Sequence, residues 1–245
     1  MDKYGLIGHP LSHSFSKKYF NEKFLNEGIE AEYCLYDLPS LEHFSSILDD
    51  KALKGLSVTI PYKESIIPFL DELDKSAKEC GAVNCIKIEQ LNGKPFLTGY
   101  NTDIYGFKQS IKPFLESKHS RALILGTGGA SKAVQFVLKE IGVDFLLVSR
   151  NPKGNNQISY QDLNDYAIKA HLLIVNATPL GMSPNVDTFP PIPFEAISSD
   201  HFLYDLVYNP AESIFLNKGK EQGSMILNGL DMLKMQAEKA WEIFG

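Results

Sequence analysis

The glycine-rich turn within residues 121–151 constrains the fold of this chain more than any other feature. The segment reads RALILGTGGASKAVQFVLKEIGVDFLLVSRN, in which a short apolar run, 122–125, ends at Gly126 and helical spacing follows. In this order the backbone can approach a pyrophosphate at the helix N-terminus, where free N–H groups favour anions. The match to Gly-x-Gly-x-x-Gly is partial, because Ser131 takes the last position. We expect a dinucleotide-binding βαβ unit, with a tight turn that binds no ligand as the alternative.

The residues after the second strand of this unit indicate which dinucleotide is expected. NAD sites usually carry an acidic residue there for the ribose 2′-hydroxyl, whereas this chain reads Ser149-Arg150-Asn151-Pro152-Lys153. A guanidinium binds phosphate in a planar fork and can stack on adenine. We therefore expect NADP, with an ordinary surface cation as the alternative role of Arg150.

Short apolar runs and helix-like segments alternate along the whole chain. Helical spacing is clear at 130–141, where apolar side chains recur on one face. Strands that alternate with helices predict a largely parallel sheet covered on both sides. A fresh βαβ unit begins after residues 101–120, so two α/β domains are expected rather than one. The predicted strands are 4–7, 32–36, 56–60, 83–88, 122–125, 145–148, 172–175, 202–206 and 225–227.

The composition argues against several classes of function. The 245 residues carry a formal net charge of −6, whereas a nucleic-acid footprint needs clustered Lys and Arg. No apolar run approaches the ~18 residues of a membrane span, and the N-terminus lacks a signal-peptide pattern. The three cysteines, Cys34, Cys80 and Cys85, show no metal-ligand spacing and are expected to be buried thiols. We expect a cytoplasmic protein with no nucleic-acid or membrane partner and no metal site.

Small hydroxyl and amide side chains cluster near predicted strand ends in the first half of the chain. Ligands of α/β sheets bind at such ends, so a polyhydroxylated small molecule is the expected partner. Helix capping is the alternative role for Ser14, Ser16 and Asp103. The cluster comprises His13-Ser14-Phe15-Ser16, Ser57, Thr59, Asn84 and Asn101-Thr102-Asp103.

A lysine follows the predicted buried strand in the stretch GLSVTIPYKES, residues 55–65. Most lysines are solvated surface charges, so a surface role is the first interpretation of Lys63. An amine beside a bound ligand could instead transfer a proton in catalysis. Both roles stay open on these residues alone.

Taken together, these segments resemble the shikimate/quinate dehydrogenase family. NATPLGM, Ser-x-Ser and Val-Thr-x-Pro-x-Lys are rarely found together elsewhere, whereas the glycine turn is shared with other oxidoreductases. The resemblance implies an NADP-dependent enzyme acting on a CH–OH group, which reversibly reduces 3-dehydroshikimate to shikimate on the route to chorismate and the aromatic amino acids. It extends from Tyr4 to Phe244 and rests on YGLIGHPLSHSFS, SVTIPYK, AVN, NTD, ILGTGGAS, SRN, NATPLGM, DLVYNP and GLDMLKMQA, in the family's order.

The resemblance also implies a fold and a set of site residues. The fold has an α/β substrate-binding domain at 1–101, a Rossmann-type NADP-binding domain at 102–229, and a C-terminal helix at 230–245 that returns to the first domain. Lys63 and Asp103 would be the catalytic pair, and which of them acts as the base stays open. Substrate-binding residues would be Ser14, Ser16, Ser57, Thr59, Asn84, Asp103, Tyr208 and Gln236. Cofactor-binding residues would be Gly126, Thr127, Gly128, Gly129, Ala130, Ser149, Arg150, Asn151, Lys153, Asn176, Ala177, Thr178, Leu206, Gly229 and Met232.

The chain departs from the family pattern at Ser57, where asparagine is usual. Serine is shorter and has one donor where the amide has two, so a contact would be lost, bridged by water or directed at a different ring substituent. Ser213 likewise stands where threonine is common. Two rival interpretations remain: a quinate or quinate/shikimate dehydrogenase, and a non-catalytic NADP- or metabolite-binding sensor on the same scaffold. The oligomeric state is left open between monomer and homodimer.

Overall fold

A computed structural model of the chain describes residues 1–11 and 14–245. His13, which the sequence groups with the hydroxyl-bearing residues, lies outside the described residues. The chain forms two compact units, one made of Met1–Thr102 with Ala237–Gly245 and the other of Asp103–Gln236. Each unit contains one six-stranded sheet with helices, which confirms the predicted two-domain α/β fold class.

The first unit has a mixed sheet with the strand order β2-β1-β3-β5-β6-β4. Strand β1 pairs in parallel with β2 and β3, but β5 runs antiparallel to both β3 and β6. The expectation of a largely parallel sheet is therefore wrong for this unit. The strands are β1 (Asp2–Gly8), β2 (Ala31–Asp37), β3 (Leu53–Val58), β4 (Glu72–Leu73), β5 (Cys85–Leu91) and β6 (Lys94–Tyr100).

A hairpin turn explains the antiparallel pair. Asn92 and Gly93 connect β5 to β6, and both residues have positive φ angles, 53° and 78°. Two central residues with positive φ match the twist of a tight two-residue hairpin, and Asn-Gly is the sequence that adopts this conformation most readily. Strand β6 is not among the strands predicted from the sequence, although the Asn-Gly signal precedes it.

Helix α1 covers one face of this sheet. Ser14 caps its start by accepting a hydrogen bond from Lys17 N at 3.4 Å, and Gly28 ends it in the left-handed conformation at φ 67°. Phe20 and Phe24 are buried against β1 and the last turns of the chain, while a second apolar cluster fills the opposite face of the sheet. The helices of this unit are α1 (Phe15–Glu27), α2 (Phe44–Ile47) and α3 (Lys75–Cys80), with short 3₁₀ helices at Leu41–His43 and Ile67–Phe69.

The second unit has an entirely parallel sheet with the strand order β12-β11-β10-β7-β8-β9. Its strands are β7 (Arg121–Leu125), β8 (Asp144–Ser149), β9 (Gln157–Ser159), β10 (Leu173–Asn176), β11 (Phe202–Asp205) and β12 (Met225–Asn228). Because every pair is parallel, all of the carboxyl ends meet at one edge of this sheet. The helices are α4 (Asp103–Ile111), α5 (Gly129–Glu140), α6 (Asp165–Ala170), α7 (Ile214–Glu221) and α8 (Leu230–Phe244), with 3₁₀ turns at Lys112–Phe114 and Phe194–Ala196.

The end of α8 belongs to the first unit, where Ala237, Ala240 and Phe244 are buried in the cluster that contains Phe20. Within the part of the chain that the structure describes, no helix is both long and apolar enough to cross a membrane. Cys80 and Cys85 are buried as expected, but Cys34 is half-buried, because it lies on the edge strand β2.

Gly55 leaves the space that the ring of Phe244 occupies. A Cβ added at Gly55 would lie 2.2 Å from Phe244 Cδ1. We predict that Gly55→Ala lowers the free energy of unfolding by about 1–3 kcal/mol, because the ring must move out of a packed site. Urea unfolding measures this change. Gly154→Ala is the control, because a Cβ at Gly154 meets no atom within 4 Å; equal stabilities for the wild type and Gly55→Ala would contradict the prediction.

Candidate active site

In the first unit, the loop after β1 is anchored to the end of β2. One carboxylate oxygen of Asp37 lies 2.6 Å from His9 Nδ1. The other accepts a hydrogen bond from Leu11 N at 3.1 Å. The hydrogen bond from His9 holds the pKa of the Asp37 carboxyl below its usual range. Ser14 and Ser16 follow this anchor at the start of α1, and both are half-buried.

Thr59 and Lys63 lie in the turn that follows β3. The strand ends at Val58, so the predicted strand 56–60 stops two residues earlier than expected. Thr59 N donates to Ile7 O at 2.9 Å, and Val83 N donates to Lys63 O at 2.7 Å. These bonds fix the main chain on both sides of the turn. Lys63 itself is half-buried.

Asn84 ties the start of β5 to the segment after β6. Its amide nitrogen donates to Thr102 Oγ1 at 3.0 Å, and its amide oxygen accepts from Thr102 N at 2.6 Å. Asn101, which precedes Thr102, donates in turn to Ala82 O at 2.9 Å. These buried bonds join the residues before β5 to the segment after β6, so Asn84 has a structural role besides the predicted contact with substrate.

Ser57 is almost fully buried in β3 and accepts a hydrogen bond from Tyr33 Oη at 2.7 Å. Tyr33, which β2 brings to the same face of the sheet, is not among the residues predicted from the sequence. Burial raises the pKa of Tyr33 well above its usual range, and the hydroxyls of Ser57 and Ser16 act against that rise. Tyr33 therefore lies beside two of the predicted substrate-binding serines.

In the second unit, the glycine turn connects β7 to α5. Gly126 has φ 104°, and a Cβ there would lie 2.9 Å from Thr178 Cγ2, so the turn requires glycine for both conformation and space. Gly128 precedes the first residue of the 12-residue helix α5, and a Cβ at Gly128 would meet no atom within 4 Å. Open space at a helix N-terminus fits the pyrophosphate of a dinucleotide. Ser131 is fully buried, which agrees with its small size.

Arg150 and its neighbours follow β8 at the same edge of the sheet as the glycine turn. Asn151 N donates to Ser149 Oγ at 3.2 Å, and Lys153 N donates to Gln157 Oε1 at 3.0 Å, which shapes the loop. Arg150, Asn151 and Lys153 are exposed. Two exposed cations beside this turn fit the extra phosphate of NADP rather than a bare ribose hydroxyl.

Asp205 is the centre of a buried network that the sequence analysis did not identify. Its carboxylate accepts from Asn176 Nδ2 at 2.9 Å and from Val207 N at 3.0 Å, and also from the Ser213 hydroxyl. Asn176 Oδ1 accepts from Thr178 N at 3.0 Å. The network therefore joins NATPLGM to DLVYNP, and the one available signal was an acidic residue at the end of an apolar strand. Ser213 also caps α7, so a hydroxyl is needed at this position.

Among the remaining predicted residues of the second unit, Leu206 and Gly229 lie on segments that bond to this network. Leu206 N donates to Asn176 O at 2.9 Å, and Gly229 N donates to Val207 O at 3.2 Å. Tyr208 is half-buried, and burial raises the pKa of its hydroxyl. Asp103 is the first residue of α4 and is buried. Met232 is buried and Gln236 half-buried on α8, where Gln236 Nε2 donates to Leu233 O.

The predicted site residues thus fall into two groups, one in each unit. The first unit contains Ser14, Ser16, Ser57, Thr59, Lys63 and Asn84; the second contains the glycine turn, the Arg150 loop, the 176–178 segment and residues 103, 206, 208, 229, 232 and 236.

Comparisons with known proteins agree along the whole chain. A family model described as the shikimate dehydrogenase substrate binding domain matches residues 6–86. A shikimate dehydrogenase (NADP(+)) of Methanosphaera stadtmanae is 36% identical over 258 residues, which covers 98% of this chain and 90% of the relative.

Solved structures of the same architecture are similar over full length. The shikimate 5-dehydrogenase of Thermus thermophilus, in complex with NADP(H) and shikimate, aligns with a TM-score of 0.85 and 30% identity, covering 100% of this chain and 93% of that chain. A quinate dehydrogenase from Corynebacterium glutamicum in complex with NAD aligns with a TM-score of 0.85 and 25% identity, covering 99% and 93%.

The Asp205 network generates a prediction about pH. Burial raises the pKa of Asp205 to about 6, from an ordinary value of 3.8. A raised carboxyl pKa favours the protonated folded state, so the stability it contributes is complete only well below pH 4 and is lost as the pH rises through about 6. A shift of this size corresponds to about 3 kcal/mol.

We therefore expect the free energy of unfolding of the wild type, relative to Asp205→Asn, to fall by about 2 kcal/mol between pH 4 and pH 7, since the rest of the effect lies below pH 4. Urea unfolding of both proteins at pH 4, 5, 6 and 7 measures the difference. Asp187→Asn, at an exposed carboxylate of the same unit, is the control. A wild-type advantage that grew with pH would show that Asp205 is stabilised as the anion.

Proposed function

The chain belongs to the shikimate dehydrogenase family, and from this premise we propose that it catalyses the NADP-dependent, reversible reduction of 3-dehydroshikimate to shikimate. One observation carries the proposal: the match to named shikimate dehydrogenases extends over 98% of the chain and includes both groups of site residues. The reaction belongs to the route to chorismate and the aromatic amino acids.

The hydroxyl and amide groups of the first unit suit the substrate. Shikimate carries a carboxylate and three ring hydroxyls, and neutral donors and acceptors at strand ends match such a molecule. Ser14, Ser16, Ser57, Thr59 and Asn84 would hold the ring, together with Asp103, Tyr208 and Gln236. We assign residues 1–101, completed by 230–245, to the substrate-binding domain.

We assign residues 102–229, which make up most of the second unit, to the domain that would hold NADP. The open space at Gly128 and the exposed Arg150 support this assignment, because they offer a helix N-terminus and a phosphate-binding cation. The rest of the set is Gly126, Thr127, Gly129, Ala130, Ser149, Asn151, Lys153, Asn176, Ala177, Thr178, Leu206, Gly229 and Met232. NADP⁺ held there would supply the hydride acceptor for oxidation of the alcohol carbon.

The protein itself must move a proton, since oxidation of an alcohol releases one from the hydroxyl. We assign this task to Lys63 and Asp103, of which one takes the proton and the other orients the hydroxyl. Positioned proton transfer contributes roughly 10²–10⁴-fold in rate. The main-chain bonds around residue 63 and the burial of Asp103 support fixed positions for both groups.

Location and assembly are part of the same proposal. Three cysteines without metal-ligand spacing and an acidic composition support a cytoplasmic protein with no nucleic-acid or membrane partner, present as a monomer or homodimer.

A quinate-linked activity is the second candidate, and Ser57 favours it. The usual asparagine is absent, and a site that hydrogen-bonds its substrate can discriminate by up to ~10⁴–10⁵ when one partner group is missing. A change at this position could therefore alter which ring is accepted.

Removal of the Lys63 amine tests the proposed catalytic pair. Wild-type protein should form NADPH from shikimate and NADP⁺, and Lys63→Ala should lower kcat about 10²–10⁴-fold because proton transfer is lost. Initial rates, with the NADP⁺ dissociation constant measured by calorimetry, separate chemistry from cofactor binding. Lys87→Ala, at another half-buried lysine of the first unit, should leave kcat unchanged. Near-normal turnover by Lys63→Ala would remove Lys63 from the catalytic pair.

Removal of the Arg150 guanidinium tests the proposed preference for NADP. Arg150→Ala should raise KM for NADP⁺ about 10- to 100-fold and leave KM for NAD⁺ unchanged, because a charge-assisted phosphate contact is lost. Wild type and variant are compared with each pairing of shikimate or quinate with NADP⁺ or NAD⁺. Arg121→Ala, at the opposite end of the parallel sheet, is the control. An equal effect on both cofactors would contradict a 2′-phosphate role, and faster turnover of quinate than of shikimate would favour the second candidate.

A further inference from the structure

Tyr33 is held in place from three sides. Its residue is fully buried, its ring stacks on Phe20 with centroids 4.6 Å apart and an interplanar angle of 13°, and its main chain is clamped by Asn21. The Asn21 amide donates to Tyr33 O at 3.1 Å and accepts from Tyr33 N at 2.9 Å. The position of the Tyr33 hydroxyl is therefore set before any ligand binds.

The hydrogen bond between Tyr33 and Ser57 has a defined direction. A buried phenol hydroxyl needs a partner, and Tyr33 Oη donates to Ser57 Oγ at 2.7 Å. A tyrosine hydroxyl has one proton, and a serine hydroxyl has one proton and two acceptor lone pairs. Because Ser57 accepts from Tyr33, its own proton is directed away from Tyr33. Donation along such a chain also polarises the second hydroxyl and makes it a better donor.

The position of Ser57 places its hydroxyl proton close to other predicted site residues. Ser57 lies one residue before the end of β3, and Thr59 and Lys63 lie in the turn that follows the strand. It shares a face of the sheet with Tyr33, while its neighbours Leu56 and Val58 pack into the apolar cluster on the opposite face. Ser16, at the start of α1, carries the other hydroxyl that lowers the pKa of Tyr33. Because Tyr33 has one hydroxyl proton and donates it to Ser57, Ser57 is the serine that it restrains.

The serine also explains why a tyrosine hydroxyl is needed here. An asparagine would reach further from β3 than a serine, and its amide group is held in one plane. A serine hydroxyl rotates freely unless a neighbour fixes it. The Tyr33 hydroxyl supplies that restraint and occupies the space next to the shorter side chain.

We propose that Tyr33 is a positioning residue that holds the Ser57 hydroxyl as a donor to an oxygen atom of one of the substituents on the substrate ring. The inference rests on the proposed function, since it assumes that a polyhydroxylated ring binds beside Ser57. Tyr33 does not touch the substrate in this arrangement, and it acts through Ser57 alone.

The test is a double-mutant cycle on the full chain with shikimate and NADP⁺. Tyr33→Phe keeps the ring stack and removes only the hydroxyl, while Ser57→Ala removes the donor. We expect each single variant to raise KM for shikimate about 3- to 10-fold, the value of one hydrogen bond, with KM for NADP⁺ unchanged. The double variant should match Ser57→Ala, because Tyr33 has no effect once Ser57 is gone.

A purely structural role for Tyr33 is tested with a matched tyrosine. Tyr204 is fully buried in the second unit and shares a hydroxyl–hydroxyl bond of 2.7 Å with Ser110. Tyr204→Phe should lower the melting temperature about as much as Tyr33→Phe but leave KM for shikimate unchanged. A KM for Tyr33→Phe within twofold of the wild type, or effects of the two single variants that multiply in the double variant, would overturn the proposal.

A second pair of variants keeps the test decisive if Tyr33→Phe does not fold. Ser57→Thr retains the hydroxyl that Tyr33 restrains, so its KM for shikimate should be lower than that of Ser57→Ala. Equal KM values for Ser57→Ala and the wild type would overturn the role of Ser57 and with it that of Tyr33. Wild-type protein that turns over no shikimate would instead reject the proposed function, whereas an active wild type with an unaffected Tyr33→Phe rejects this inference alone.

Discussion

Both units depend on buried polar side chains that bond to one another at the strand ends. A strand that stops inside the protein leaves main-chain groups and polar side chains away from water, and each of these costs free energy unless it finds a partner. Asn84 with Thr102 solves this problem in the first unit, and Asn176 with Asp205 solves it in the second. Because these bonds join residues distant in sequence, they set the shape of the loops that carry the site.

The Asp205 network shows how such a bond organises more than its own surroundings. In the parallel register Asn176 lies opposite Asp205, and Asp205 lies opposite Asn228. A carboxylate at this position receives donors from the strand end, from the turn at Val207 and from the start of α7. The segments that carry the predicted cofactor residues near 178, 206 and 229 are therefore held by one buried group, which explains why two separate sequence motifs must be present together.

The sequence predicts the features that depend on local pattern and misses those that depend on pairing. The apolar runs at 122–125 and 145–148 become β7 and β8, and the glycine turn between them has the required conformation. Strand β6 was missed because KPFLTGY contains a proline, and only the preceding Asn-Gly indicated a hairpin. In the site, residue type shows which atoms can donate or accept, but tertiary pairing decides which are already used. Tyr33 could not be identified from its own segment, since it looks like an ordinary residue of an apolar strand, and the segment of Asp205 shows only an acidic residue at the end of such a strand.

Ser57 illustrates how such pairing can give one family position a different chemical character. Compared residue by residue, serine in place of asparagine removes a donor. Beside Tyr33, however, the serine gains a fixed donor partner, and its single proton acquires a direction. The hydrogen-bonding capacity of this position therefore depends on the pair, Tyr33 with Ser57, and not on either residue alone. A substitution on β2, with no contact to the ligand, would then change substrate affinity as much as a substitution on β3.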